Sequence, residues 1–576
     1  MRARRDVQPK MNEHESISRA LAYSAVVIAA ALVWCSQSVV AKVLPKIDAR
    51  AERVTYPRPA GMPSDAELEA AGAVVGDVRF TLFNVFDPGG SDENTSLFRL
   101  ANRLHIMTRE STIADLLLFK TGARYDGRLL EESARILRDT RYLRDAHIRP
   151  ISYHDGIVDI EVITQDVWTF NPGLSFGRKG GKNTSGFELE ELNFLGLGTQ
   201  LGLGFKSEVD RDSKYIFYRD RQLGSSWWDL AVQYSDNSDG RVSSLALERP
   251  FFALDTRWTA GIAASEDLRV DSRYDLGDVI DEFEANHKTA SVFWGHSTGL
   301  RAGWVRRYKL GLAYARSEFN AAPAADPPRL LPGNRKLVYP WVSVEWLEDD
   351  FETTRNRDQI EKTEDYALGW RARASLGYAS SSLGSDRNAA ILAGGISRGV
   401  DLTSRQTLLL DGSTSGRLEG GSVANGLLAT EVRYYFKQTP RRLLFLGLSA
   451  LAGSNLDLDQ QVLLGGDTGL RGYPLRYQAG EGRWLFTAEQ RLFTNWYPFQ
   501  LFNVGGAVFY DMGQTWGRDP LGTPSQGLLK DVGFGLRFGN GRSALGNVLH
   551  FDVAFPLDGD RSIQGVQFIV ETKRRF

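Results

Sequence analysis

Cysteine is almost missing from this chain: Cys35 is the only one in 576 residues. No intrachain disulfide and no thiolate metal cluster can form. Histidine is scarce too, with 7 residues scattered along the sequence, which argues against a His-rich metal centre. An excess of one charge is also lacking. Lys+Arg 69 stands against Asp+Glu 71, a net charge of −2, and leaves no electrostatic basis for binding nucleic acid. Beyond the N-terminus no run of about 18 apolar residues occurs, so helical membrane spans are excluded. Apolar residues nevertheless make up 42% of the chain and alternate regularly, which excludes disorder and collagen.

The N-terminus reads as an address. Arg2, Arg4, Arg5, Lys10 and Arg19 precede an apolar core from Leu21 to Trp34, and Val39-Val40-Ala41 offers a small residue at a cleavable site. Positive start, short apolar middle and Ala exit predict a secretory signal peptide over 1–41 rather than a membrane anchor. Residues 42–74 are polar and Pro-containing and read as a linker, with a short helix over Ser64–Ala71.

From Gly76 to Phe86 the text GDVRFTLFNVF alternates as a strand. A polar insertion follows, then two helical patterns, Thr108–Phe119 and Asp126–Thr140, the second with Asp126 as N-cap. Two strands, Ala146–Tyr153 and Ile157–Thr164, are joined by His154-Asp155-Gly156, a hairpin signal. This order, with the text LLLFKTGARYDGRLLEESARILRDTRYLRDAHI, resembles a POTRA domain over 75–168, with Gly122 and Tyr125 where such domains turn between helices. A POTRA domain offers a sheet edge to which an extended client can add as a strand. A ferredoxin-like fold without a client role is the other reading of the same order.

From Asn171 onward the period becomes two. Leu201, Leu203 and Phe205 share one face, while Gln200, Gly202, Gly204 and Lys206 share the other. Val532, Phe534, Leu536 and Phe538 oppose Asp531, Gly533, Gly535 and Arg537. Segments of roughly 10 residues that are apolar on one face only are the signature of a transmembrane antiparallel β-barrel, here over 169–576. Trp227, Trp228, Trp258, Trp294, Trp304 and Trp341 are candidates for aromatic girdles, and Phe568 and the terminal Phe576 for the C-terminal barrel signal. Counting segments gives about 20 strands.

Residues 463–474 read LLGGDTGLRGYP. Leu470-Arg471-Gly472-Tyr473 resembles the (V/L)-R-G-(F/Y) motif of the BamA/TamA outer-membrane protein assembly superfamily, which lies in an extracellular loop folded back into the barrel lumen. A guanidinium there needs an acidic partner. Glu489, in RWLFTAEQRLF, and Asp511, in LFNVGGAVFYDMG, sit on the lumen face of the two strands after the loop and resemble the family's acidic strands. ELNFLGLGTQL at 191–201 is similar to its early hairpin. The resemblance covers about 75–576 and implies sixteen strands, fewer than the count from spacing. It also implies location in the Gram-negative outer membrane with the POTRA-like domain in the periplasm. Implied partners are membrane lipid, client outer-membrane or secreted proteins and periplasmic accessory proteins, with no cofactor. A single POTRA-like domain departs from the family, whose members usually carry more, so insertion of barrel proteins and two-partner secretion both stay open. A passive channel or receptor is the reading from another class.

Enzymatic chemistry is not expected. Gly173-Leu174-Ser175-Phe176-Gly177 and Gly395-Ile396-Ser397-Arg398-Gly399 match G-x-S-x-G, but both lie in alternating segments without the strand-to-helix turn a nucleophile elbow needs. Asp210/Asp212 and Asp457/Asp459 are acidic loop tips, candidates at most for Ca²⁺, and no metal site is expected.

Overall fold

The computed structural model describes residues 56–87, 95–323, 326–544, 548–560 and 563–573. The expected signal peptide, residues 42–55 of the linker and Phe576 lie outside the described residues.

A small α+β domain comes first. Helix α1 (Asp65–Ala70) starts in a capping box, Ser64 accepting from the Glu67 amide while Glu67 reaches back to the Ser64 amide. It sets Leu68 into the domain core with Ala73, so this stretch packs as part of the domain rather than as linker. Strand β1 (Val74–Phe83) pairs parallel with β3 (Ile157–Asp166), and β3 pairs antiparallel with β2 (Leu143–His154), giving the order β1-β3-β2. The β2–β3 turn holds Asp155 and Gly156 at φ 50° and 78°, the primed hairpin geometry that Asp-Gly favours. Helix α2 (Ser96–Leu104) was not expected. The expected Thr108–Phe119 helix is regular only over α3 (Glu110–Ala114), after which tight turns drop Leu116 and Phe119 into the core. Helix α4 (Gly127–Asp139) has Asp126 as its N-cap, accepting from the Arg128 amide at 3.0 Å.

The rest is a closed antiparallel barrel of 20 strands, from Phe170–Lys179 to Gln567–Lys573. The expectation of sixteen is thereby corrected, and the count from spacing was the better guide. Each alternating segment found its own antiparallel neighbour, because an unpaired strand would leave a row of backbone groups without partners. Outward positions such as Leu203, Leu312, Val342, Phe534 and Phe568 are exposed, while Gln200, Asp531, Arg537 and His550 on the inward face are buried. Trp258, Trp294 and Trp304 are exposed as girdle residues would be. Trp227 instead stacks on Phe252 at 3.9 Å against the N-terminal domain, and Trp341 lies beside Phe293 over Gly311 on the face opposite exposed Val342. Neither belongs to a girdle.

The domain closes one mouth of the barrel. The Arg109 amide and the Thr112 hydroxyl both donate to the Gly196 carbonyl, at 3.0 and 2.9 Å. Arg128 pairs with Asp255, and the Leu254 amide donates to Glu132 at 2.8 Å. All of these partners lie in turns at the end of the barrel where the first strand begins.

Candidate functional site: a doubly plugged lumen

Two chain segments enter the barrel interior. From the mouth far from the domain, the connection between strands Arg442–Ser454 and Gly482–Phe493 folds inward through a small hairpin, Val462–Leu464 with Gln478–Gly480. At its tip Leu470 and Tyr473 are buried against Leu464, Tyr477 and Leu529, so an apolar cluster holds the loop in place. The Tyr473 hydroxyl accepts from the Lys530 amide at 3.1 Å and faces the Lys530 carbonyl at 2.8 Å. Gly472 has no room for a side chain: a Cβ there would meet Asp531 Cβ at 2.7 Å and the Pro556 nitrogen at 3.0 Å. Its amide donates to Asp531 at 3.0 Å.

Arg471 lies at the centre. Its Nε and Nη2 donate to both oxygens of Asp511, at 2.7 and 3.0 Å, the fork geometry that makes such pairs specific. Nη1 donates to Glu489 at 3.1 Å and lies 3.8 Å from Asp552. The guanidinium also stacks 3.3 Å above the Phe509 ring. Thr487 donates to Asp511 at 2.8 Å and fixes the carboxylate in turn. The expected set, Leu470, Arg471, Gly472, Tyr473, Glu489 and Asp511, therefore converges in one place. Phe509, Asp531 and Asp552 were not singled out, although each stands on the lumen face by simple alternation. Phe568 stands apart on the outer face, 57% exposed.

The second segment enters from the domain side. Between strands Arg335–Glu348 and Arg371–Ala379 the chain forms a hairpin, Phe351–Arg355 with Thr363–Ala367, whose tip packs Ile360 against Tyr435, Leu443 and Phe493. Arg491 donates to Asp358 at 3.2 Å and to the Arg357 carbonyl at 2.7 Å. Tyr366 donates to the same Asp358 at 3.0 Å. Arg491 also donates to Glu489 at 3.1 Å. A continuous run of charge pairs, Arg471–Glu489–Arg491–Asp358, thus joins the two plugs through the barrel wall. Separately, Arg138 of α4 holds Asp365 of the same hairpin in a bidentate pair at 2.7 and 2.8 Å.

BamA and CdiB are structural neighbours of this chain. BamA from Haemophilus ducreyi lacking POTRA domains 1-3 is 15% identical, with 87% of this chain and 84% of that chain covered and a TM-score of 0.38. CdiB from Acinetobacter baumannii is 13% identical, covering 87% and 73%, with a TM-score of 0.43. CdiB from Escherichia coli is 13% identical, covering 88% and 77%, with a TM-score of 0.44. No protein-family model matches the sequence, and no curated protein does.

Three of the four acidic tips, Asp457, Asp459 and Asp210, have arginine partners. Asp457 takes Arg417 at 2.9 Å, Asp459 takes Arg335 at 2.8 Å, and Asp210 takes Arg476 at 2.5 Å. These carboxylates are already neutralised, which disfavours the Ca²⁺ reading. His550, Asp552 and Glu571 also converge near the last strand, but Arg537 and Arg471 flank Asp552, and Lys179 and Lys573 flank Glu571. A cation there would meet more positive than negative charge. Both G-x-S-x-G strings lie inside barrel strands, Phe170–Lys179 and Ala389–Thr403.

Proposed function

We propose that this chain inserts or translocates client proteins at the Gram-negative outer membrane, without nucleotide or cofactor and without enzymatic chemistry. In this reading the exposed apolar belt faces lipid, and the α+β domain is a POTRA-like periplasmic unit. The observation that carries the reading is the barrel's closing seam. The first and last strands share one ladder pair among the described residues, Val570 with Arg178, supported by a Lys179–Glu571 ion pair at 2.8 Å. Other neighbouring strands share runs of seven or more, as Val548–Pro556 does with the last strand. A strand end with few partners is a template for an incoming strand. The client first extends the domain's sheet, then pairs at the seam, and its own folding and burial in lipid drive the reaction.

Replacing Arg178 and Val570 with cysteines, in a chain lacking Cys35, allows the seam to be locked by oxidation. Insertion requires that locking stops client assembly and that reduction restores it. Undiminished client assembly through a locked seam would sink the templating mechanism.

The second reading, passage of a secreted partner through the lumen, is favoured by the two plugs, which block one axis from both mouths. Proteomics of a deletion strain separates the two. Loss of integral barrel proteins means insertion, and loss of a single secreted partner with the barrels intact means transport. If neither fraction changes, a channel or receptor becomes the better reading.

A further inference from the structure

Helix α2 carries an apolar stripe that nothing in the described chain covers. Leu97, Leu100 and Leu104 recur at i, i+3 and i+7, so they line one face, and all three are exposed, at 66%, 49% and 65%. The opposite face is anchored firmly. Phe98 is buried and stacks on Phe86 at 4.2 Å, and Asn102 both donates to the Phe86 carbonyl at 2.8 Å and accepts from the Phe86 amide at 3.1 Å. The exit from the helix is fixed by His105 and Thr108, both on Asp166. A helix this well held, with three leucines turned outward, is not a frayed end.

Its place in the fold says what meets those leucines. The pocket around Phe98 is completed by Trp168, just before the first barrel strand, and by Leu501, in the domain-side turn between strands Gly482–Phe493 and Phe502–Trp516. Arg542, from the next such turn, donates to the Val85 carbonyl. The helix therefore sits on the rim of the barrel, beside its first strand. The same rim turn exposes Trp496 and Phe499, the latter 80% exposed and held at φ 57°. Above the rim the outer wall continues as the exposed belt of Val508, Phe534 and Leu536. Arg103 flanks the leucine stripe on one side, an arrangement that pairs apolar depth with phosphate height.

We propose that α2 is a membrane-interface anchor that buries Leu97, Leu100 and Leu104 in the periplasmic leaflet beside the barrel's first strand, with Arg103 at the phospholipid phosphates. The occupant of the apolar face is lipid, continuous with the lipid belt of the barrel. This rests on the proposed function for a barrel that spans the outer membrane with its domain on the periplasmic side, and is independent of whether clients are inserted or transported.

The test uses the full chain with Cys35 replaced by Ser, reconstituted in phosphatidylethanolamine/phosphatidylglycerol vesicles. A fluorophore is placed by Leu100→Cys and, as the aqueous control, by Asp139→Cys, whose side chain is 85% exposed. Nitroxide-labelled lipid quenches the label at 100 and not that at 139, while an aqueous quencher does the reverse. Replacing phosphatidylglycerol with phosphatidylcholine lowers the ratio of lipid-bound to water-exposed label by about fivefold, as Arg103 loses its anionic partner. Adding Leu97→Gln and Leu104→Gln moves the label at 100 to water while heat-modifiability shows the barrel still folded. Equal aqueous quenching at 100 and 139 overturns the proposal. So does protection of position 100 that appears only when a client or a higher concentration of the chain is added, which would make the occupant a protein.

Discussion

The two plugs occupy the same lumen and are built differently. The loop around Arg471 is held by an apolar cluster, a glycine with no space for a Cβ, and one guanidinium shared among carboxylates of three wall strands. The hairpin around Asp358 is held largely by polar contacts, with Ile360 as its main apolar anchor, and it alone is tied to the N-terminal domain. A plug locked by packing and a buried multi-partner charge opens only when many contacts break together. One held by hydrogen bonds and ion pairs can follow the domain to which it is bound. The hairpin is thus the plug suited to respond to events at the domain, and the Arg471 loop is the one suited to hold.

The strongest break in that contrast is Arg471→Ala. It leaves Asp511 buried without its counter-charge and Glu489 with Arg491 alone, and one-sided removal of this kind costs about 3–5 kcal/mol. The expected result is loop release, read as new protease cleavage within 455–481 and as raised ion conductance, with the domain-side hairpin still protected. Gly472→Ala follows. The clash with Asp531 and Pro556 is expected to cost about 1–3 kcal/mol and to displace the loop without removing any charge. Protease cleavage at the loop in Gly472→Ala, with unchanged pairing of Arg491, would show that packing alone can hold or free it.

The run of ion pairs sharpens the comparison, since it predicts that the plugs are coupled. A double-mutant cycle between Arg471→Gln and Asp358→Asn, read by thermal unfolding in detergent, is expected to give an interaction energy above about 0.5 kcal/mol, although the two residues do not touch. Strict additivity would show that Glu489 and Arg491 insulate one plug from the other. Arg138→Ala removes the charged bond between domain and hairpin and is expected to loosen the hairpin by about 1.5–3 kcal/mol while leaving the Arg471 loop protected.

The smallest effect concerns the domain sheet. Asp159 accepts from Ser152 at 2.7 Å and from the Asp77 amide at 3.0 Å, and these bonds hold its carboxyl below the ordinary carboxylate range. At Glu161 burial pushes upward, and bonds from Arg149 and Thr81 outweigh it, so that carboxyl is lowered too. Groups lowered in the folded state add stability above their unfolded pKa and lose it as pH falls through the folded value. The domain's protection from proteolysis is therefore expected to weaken below the ordinary carboxylate range, and Asp159→Asn to flatten that dependence. An unchanged pH profile in Asp159→Asn would assign the loss to other groups.

Much of this was legible one residue at a time. Alternation placed Glu489 and Asp511 on the lumen face before any strand was paired, and Leu470-Arg471-Gly472-Tyr473 stood out as a Gly-rich loop with an arginine needing an acid. Spacing also gave the strand number more closely than resemblance did. The hairpin was not legible, because DDFETTRNRDQIEKTEDYA is polar enough to pass for a solvated turn, and what makes it a plug is Arg491 and Tyr435 on distant strands. Helix α2 was missed because its leucines face outward, so its periodicity does not point to the core. Trp341 was misplaced because an aromatic on a strand reads the same from either face until the pleat is known.

Sequence by itself determined the two-part plan: a helix-and-strand domain, then a long period-two chain with one apolar face. Those features are local, since side chains at i and i+2 share a face wherever the strand sits. Only the tertiary structure decided which carboxylates share Arg471, that a second plug enters from the domain side, and that the barrel closes, among the described residues, through so short a ladder. Each depends on the register and closure of 20 strands, and so brings together residues far apart in the chain, which no local pattern records.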